Sequence, residues 1–228
     1  MHSCLSPCGD QLMTPNNIVR MAQLKGLDMI AVSDHNTAMH LGAIEKVARE
    51  VGIGLLPAME LTTREEVHLL AYFEQVEAAR EFSRKIYEHL PPIKNRPEFF
   101  GPQVELNEED EPVREEERLL ISALDLGIDQ LTEEIRAAGG LAVPAHVNRG
   151  NNGILNALGF IPPGAGYAVL EVCPTLPLAH KITTERVLHS SDAHQLGDIL
   201  ERVEYLELSA PTPEAFFNWA RGENEEAG

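Results

Sequence analysis

Hydrophobic positions along this chain switch repeatedly between helical spacing and short continuous runs. "TPNNIVRMAQLKG" opens with Thr14 at a helix N-cap and Pro15 at the first helical position. Ile18, Met21, Ala22 and Lys25 follow at helical spacing, and Gly26 ends the pattern. "DMIAV" is a short apolar run suited to a buried strand. "MHLGAIEKVAREVG" predicts a helix, "IGLLPAM" and "VHLLAYF" predict strands, and "EQVEAAREFSRKIYEHL" predicts a helix stopped by Pro91 and Pro92. Further helices are expected around 116–124, over 129–138 and in "TPEAFFNWARG". Further strands are expected in "LAVPA", "YAVLEV", "RVLHS" and "VEYLELS".

Repeated strand–helix pairs in one domain, residues 1–228, leave an open doubly wound sheet or a closed barrel as the α/β architectures to weigh. Residues 91–118 interrupt the rhythm, first Pro-rich and then acidic, and read as an active-site lid or a disordered insertion. The tail, 222–228, reads as frayed. Polar residues at strand ends favour the barrel. His35 follows "MIAVSD", Glu60 follows "LLPAM", His146 follows "LAVPA", Glu171 follows "YAVL", and Asp192 and His194 follow "VLHSS". In a barrel such ends converge on one mouth, whereas an open sheet gathers groups from fewer strands.

Composition narrows the setting. A chain of 228 residues with 43% hydrophobic content can bury one sizeable core. No apolar run approaches the roughly 18 residues that span a bilayer. "MHSCLSPCGD" lacks the basic and apolar regions of a signal peptide. Three cysteines, Cys4, Cys8 and Cys173, argue against a disulfide framework and for a reducing, cytoplasmic setting. A formal net charge of -18 repels phosphate backbones, so bulk nucleic-acid binding is not expected, and without a spanning run neither is membrane association.

Imidazoles and carboxylates converging within about 2 to 2.3 Å of a point suit a divalent ion. His40, His89 and His180 read as structural residues. His189, inside the last strand before "SSDAH", reads as core or as support for a ligand. Asp192 and His194, two apart at a strand end, point the same way and can face one ion.

The segments "HSCLSPCGD", "IAVSDHN", "AMELTT", "VHLLAYF", "AVPAHVNR" and "SSDAHQLGD" occur in an order that resembles the polymerase and histidinol phosphatase (PHP) domain over nearly the whole chain. The resemblance implies a distorted (β/α)7 TIM-like barrel that binds two or three divalent ions (Mn, Zn, Fe or Mg) and hydrolyses phosphoesters. It also implies the ligands. His2 stands for the second histidine of an opening Asp-x-His-x-His motif, His35 for that of Thr-Asp-His, Glu60 for a bridging glutamate, and His68 for the histidine of the next strand. His146 stands for Ala-His-Pro, with Val147 in place of proline, and Asp192 and His194 for Ser-Asp-Ala-His. Asp10 is the acidic ligand of the first loop, although Cys8 stands nearer that slot. Glu171 is as much a supporting residue as a ligand. Arg149 is a phosphate clamp, because a guanidinium matches two phosphate oxygens. Met1 sits directly before His2, so the opening Asp and first His are missing. The expectation is a barrel without its first strand, cut from a longer chain.

The implied chemistry is metal-assisted hydrolysis of a small phosphorylated substrate, with a metal-bound hydroxide attacking phosphorus in line and no nucleophilic side chain. Rival readings are a binding or regulatory module that has lost catalysis and an amidohydrolase-type metal hydrolase, against which no lysine ends an expected strand. A structural zinc site at His2, Cys4 and Cys8 lacks a second ligand pair at standard separation.

Overall fold

A computed structural model of the chain describes residues 1–178 and 186–223. In chain order its elements are α1 (Pro15–Leu24), β1 (Met29–Ile30), α2 (Leu41–Val51), β2 (Gly54–Leu55), β3 (Ala58–Thr62), β4 (His68–Tyr72), α3 (Val76–Ile86), α4 (Pro97–Phe100), β5 (Val104–Leu106) and β6 (Pro112–Glu115). There follow α5 (Ile128–Ala137), β7 (Leu141–Pro144), α6 (Ile154–Leu158), β8 (Val169–Val172), β9 (Arg186–His189) and α7 (Pro213–Arg221). Capping explains where two helices begin. The Thr14 hydroxyl accepts from Asn17 N at 3.2 Å with Pro15 at the first position, and Thr212 accepts from Ala215 N at 3.3 Å before Pro213.

The fold is mixed α/β, but no sheet among the described residues closes into a barrel. β1–β2 and β8–β9 pair in parallel, β3–β4–β7 is antiparallel throughout, and β5–β6 is a separate hairpin. The barrel expectation requires parallel neighbours. The link from β3 to β4, residues 63–67, is too short for a parallel crossover, which takes about a dozen residues or more, so β4 must return antiparallel. Between the ends of β1 and β9 lie Met1 and His2: Ser33 N donates to Met1 O at 2.8 Å and His2 N to Ala193 O at 2.9 Å.

β3 is buried at all five positions, with Met59 and Leu61 in the larger core that α1, α2, α3 and α5 cover. Ala58 on the same strand joins a second core with Leu70, Val143, Phe216 and Phe217. A strand buried on both faces reads as a continuous apolar run, so Glu60 in its middle is conspicuous.

Two other expectations fail. Residues 116–124 are extended and turned rather than helical. Gln103 takes up their backbone, its Nε2 donating to Glu116 O and Arg118 O at 3.0 and 2.7 Å and its Oε1 accepting from Leu120 N at 2.9 Å, while Leu119 N donates to Ile93 O at 2.8 Å. "VEYLELS" forms no strand: it finds no partner edge, and Val203 and Tyr205 stand exposed. Residues 91–118 carry α4 and the β5–β6 hairpin, whose Asp110 accepts from Thr14 Oγ1 at 2.7 Å and Asn16 N at 3.1 Å at the start of α1. Most of the tail, 224–228, lies outside the described residues, as does His180.

Candidate metal centre

Glu60 is 2 % exposed, and its carboxylate is ringed by imidazoles. Its Oε2 lies 3.3 Å from His2 Nε2, 3.4 Å from His35 Nδ1 and 3.1 Å from His68 Nδ1, and its Oε1 lies 3.6 Å from His146 Nε2. Local structure delivers each group. Glu60 and Thr62 share one face of β3, and the antiparallel register pairs Thr62 with His68, so the first residue of β4 reaches the same face. His35 bridges in parallel to Glu60 just beyond β1, and Asn36 N donates to Glu60 O at 2.8 Å. His146 follows β7 and Asp192 follows β9. Both hold left-handed backbone, at φ 28° and 48°, conformations that cost energy away from glycine and concentrate at functional sites.

The rings form a belt. His2 and His35 stack with centroids 4.4 Å apart, His2 and His194 lie at 4.5 Å, and His68 and His146 at 5.2 Å. His2 Nε2 also lies 3.1 Å from Asp192 Oδ1, whose other oxygen pairs with Arg149 Nη1. His2, His35, Glu60, His68, His146, Asp192 and His194 are thus brought together, with Arg149 at the rim. Asp10 is not: it is exposed, and its carboxylate accepts from Leu12 N within its own turn at 2.8 Å. Cys8 takes the place at the rings, its sulfur and one ring nitrogen each of His2, His35 and His194 all lying within 4.8 Å of one another. Cys4 is buried in the core and joins no such group among the described residues.

Behind the rings, buried hydroxyls and carboxylates fix their orientation. Asp34 accepts from Ser3 N at 2.7 Å, Ser3 Oγ at 2.6 Å and Ser6 Oγ at 2.8 Å. With the Ser6 proton committed to Asp34, Ser6 Oγ accepts from His2 Nδ1 at 3.3 Å, which turns His2 Nε2 towards Glu60 and Asp192. His40 Nε2 accepts from Leu106 N at 2.7 Å, so its Nδ1 donates to Ser3 Oγ at 2.6 Å; this histidine ties the β5–β6 hairpin to the first loop. Glu171 accepts from His146 N at 2.9 Å and from the Ser190 hydroxyl, a supporting place behind the rings. His189 corrects its expectation. It is exposed and pairs with Glu204 at 3.1 Å, because its strand side faces solvent. His89 pairs with Asp125 at 2.7 Å on the surface. Ser3, Ser6 and Asp34 are not legible as a network from sequence: only the crowding of small hydroxyl residues around His2 hints at it.

Electrostatics follow from burial among opposed charges. Burial works against a charged His2, but the Asp192 and Glu60 carboxylates outweigh it and lift the ring to about 9. Burial would raise Glu60, yet His68, His146 and His2 hold it well below the usual carboxylate range. Burial also opposes charge on His146, and Glu60 raises it nonetheless. Burial first, then the charge on His2, lowers His35 and His194. Burial and the Glu60 carboxylate push the Cys8 thiol up to about 12. A cation suits this set: five imidazoles and two carboxylates converge, and His35 Nδ1 and His146 Nδ1 are buried without a hydrogen-bond partner.

No family model matches the chain. A 5'-3' exoribonuclease of Haemophilus influenzae is 33% identical over 63 residues, 28% of this chain and 23% of that protein. An uncharacterized protein of Methanocaldococcus jannaschii is 32% identical over 56 residues, 25% of this chain and 33% of that protein. The matched stretches therefore span a quarter to a third of those relatives. Among solved structures, a lesion-specific endonuclease Q of Pyrococcus furiosus covers 97% of this chain at TM-score 0.67 and 19% identity, over 54% of its own length. A Bifidobacterium adolescentis protein assigned as a metal-dependent phosphoesterase covers 95% at TM-score 0.58 and 17% identity, over 92% of its own length. An endonuclease Q complex with a 27-mer duplex carrying an abasic lesion at the active site covers 97% at TM-score 0.62 and 19% identity. That complex overturns the expectation, drawn from the net charge of -18, of no bulk nucleic-acid binding: a protein that shares this fold over 55% of its own length is bound to a DNA duplex. No helix among the described residues is long and apolar enough to cross a membrane.

Proposed function

We propose that this chain, which has the fold of the PHP-like metal-dependent phosphoesterases, hydrolyses phosphoester bonds at the centre built around Glu60. The observation that carries the reading is one buried carboxylate within 3.1 to 3.6 Å of four ring nitrogens, with Asp192, His194 and Cys8 beside them. Two or three divalent ions held by His2, His35, Glu60, His68, His146, Asp192 and His194 would supply hydroxide at neutral pH, by lowering the pKa of a bound water from ~15.7 towards ~7, and would offset phosphate charge.

The chain's own groups do the rest. Asp34 and Ser6 hold His2 with Nε2 turned towards Glu60 and Asp192, and Glu171 holds His146 through its backbone N–H. Glu60 spans the two halves of the ring belt, so groups on either side share one negative charge. Arg149 rests on Asp192 at the rim; were Asp192 to hold a cation, the guanidinium would be available to grip two phosphate oxygens. Bound cations would reverse the local sign, so that a chain of net charge -18 could accept an anionic substrate.

The duplex-bound neighbour makes phosphodiesters of nucleic acid candidates alongside phosphomonoesters. The test is elemental analysis of the purified chain, followed by hydrolysis assays of the metal-replete protein. Substrates should include phosphomonoesters, single- and double-stranded DNA and RNA, and lesion-bearing duplex. Metal bound at the Glu60 centre, with hydrolysis that Glu60→Gln abolishes, supports the reading. A metal-replete chain that cleaves none of these substrates supports a binding module instead. Cleavage of carbon–nitrogen bonds alone supports an amidohydrolase, the description of a Chromobacterium violaceum neighbour covering 97% of this chain at TM-score 0.53 and 16% identity.

A further inference from the structure

The donor atoms around the rings divide into two chemical kinds. Two groups contain oxygen: His35, Glu60 and His68, and His2, Glu60 and Asp192. The third, His2, Cys8, His35 and His194, contains none, and its only anionic donor is a sulfur. We propose that Cys8, its thiol proton displaced to solvent by the incoming ion, and the ring nitrogens of His2, His35 and His194 form a distinct metal position. Its soft, four-donor set selects zinc, cobalt(II) or iron(II) over magnesium and manganese. This rests on the metal-centre reading above and adds to it which ion this end of the centre takes.

The loop that carries Cys8 is shaped to deliver it. A turn from Ser3 to Gly9 is closed by Ser6 N donating to Ser3 O at 3.1 Å and Gly9 N to Ser6 O at 2.9 Å. A Cβ on Gly9 would stand 2.1 Å from Ser3 O, so the backbone passes here only as glycine. The next residue fixes the loop to its metal-facing neighbour, Asp10 N donating to His194 O at 2.8 Å. Cys8 and His194 are thus registered by main-chain bonds. From outside, a Cβ on Gly101 would stand 2.5 Å from Pro7 O, so the segment after α4 packs directly on the same turn.

His35, 5 % exposed, belongs to both kinds of group: its Nδ1 lies 3.4 Å from Glu60 Oε2 without a hydrogen bond, and the same ring also stands in the cluster with Cys8. The only nearby carboxylate on the loop, Asp10, is turned outward and occupied by Leu12 N, so sulfur is the donor the first loop offers. Thiolate prefers zinc-like ions over magnesium, calcium and manganese, which prefer carboxylate and water.

Cobalt(II) is the probe. Metal-free protein is titrated with cobalt(II), and two absorptions are followed: the near-ultraviolet thiolate-to-cobalt charge-transfer band and the visible bands of the ion itself. The wild type and a Cys173→Ser control should show both. Cys8→Ser should lose the charge-transfer band, keep visible absorption from the remaining sites, and bind zinc about tenfold or more weakly while manganese binding is little changed. Cys8→Asp should shift preference back towards manganese. Visible bands without a charge-transfer band in the wild type would remove Cys8 from the site and leave the Glu60 centre standing; so would a charge-transfer band that survives in Cys8→Ser. No cobalt binding in the wild type would remove the centre itself, and this ligand with it.

Discussion

His68 Nδ1 stands 3.2 Å from His146 Nε2, and both nitrogens face Glu60, on opposite oxygens. Two imidazoles from strands β4 and β7 share one carboxylate without a chain link between them, a contact made by the antiparallel pairing of those strands. Replacing Glu60 by Gln keeps the shape and removes the charge that all four rings face. Metal content should fall, and hydrolytic activity should drop by about a hundredfold or more. Elemental analysis and activity measured on one preparation check it, and an unchanged stoichiometry would take Glu60 out of the centre.

Glu171 acts on the site through His146. It accepts the His146 N–H at 2.9 Å and so holds that residue at φ 28°. Glu171→Ala leaves a buried N–H without a partner and should cost about 1–3 kcal/mol of stability, with roughly 10–100-fold weaker metal binding. Glu171→Gln retains an acceptor and should recover most of both. Denaturant melts and metal titration separate the variants, and equal behaviour of Ala and Gln would argue against this role.

Metal-free protein should lose stability as pH rises from neutral. His2 is lifted from 6.5 to about 9 in the folded chain. A group whose folded pKa is raised contributes fully below its unfolded value and loses that contribution as pH climbs through the folded one. The window is therefore pH 6.5 to about 9, and the His146 ring, also raised, acts in the same sense. The effect is of order 3 kcal/mol at most for His2. Thermal unfolding of chelator-treated protein across this window should show the fall. His2→Asn should flatten it, and a bound divalent ion should abolish it by displacing the proton.

Gly9→Ala tests the loop without touching a donor atom. The added methyl meets Ser3 O at 2.1 Å, so the turn that carries Cys8 must shift. Overpacking of this kind costs about 1–3 kcal/mol. Metal binding should weaken along with stability, whereas Gly150→Ala, with open space around it, should change neither. A Gly9→Ala protein with wild-type metal affinity would show that the loop does not position the centre.

Much of the candidate site is legible in the order of residues alone. The strand-end pattern singles out His35, Glu60, His146, Asp192 and His194, because a polar residue closing an apolar run has few places to point, although Glu60 lies in the middle of β3; the family resemblance adds His2 and His68. Asp10 departs from its expectation for a local reason. It stands two residues from Cys8, and only the turn closed by Gly9 decides which of the two faces the rings. His189 departs because alternate positions on a short strand look alike in sequence until the covered face is known. The helix expected at 116–124 gives way to a single side chain, Gln103, which captures the backbone groups that a helix would have used.

By itself, the sequence determined the helices with their Thr14 and Thr212 caps, the apolar strands, and the chemical kinds of donor available. Those are local properties, set by neighbours within a turn or a pleat. Tertiary structure decided how the strands pair and therefore which donors meet: antiparallel β4 places His68 under Glu60, and a chain reversal places Cys8 against His194. Pairing across tens of residues depends on link lengths, register and competing hydrogen bonds together, and no short stretch of residues encodes that sum.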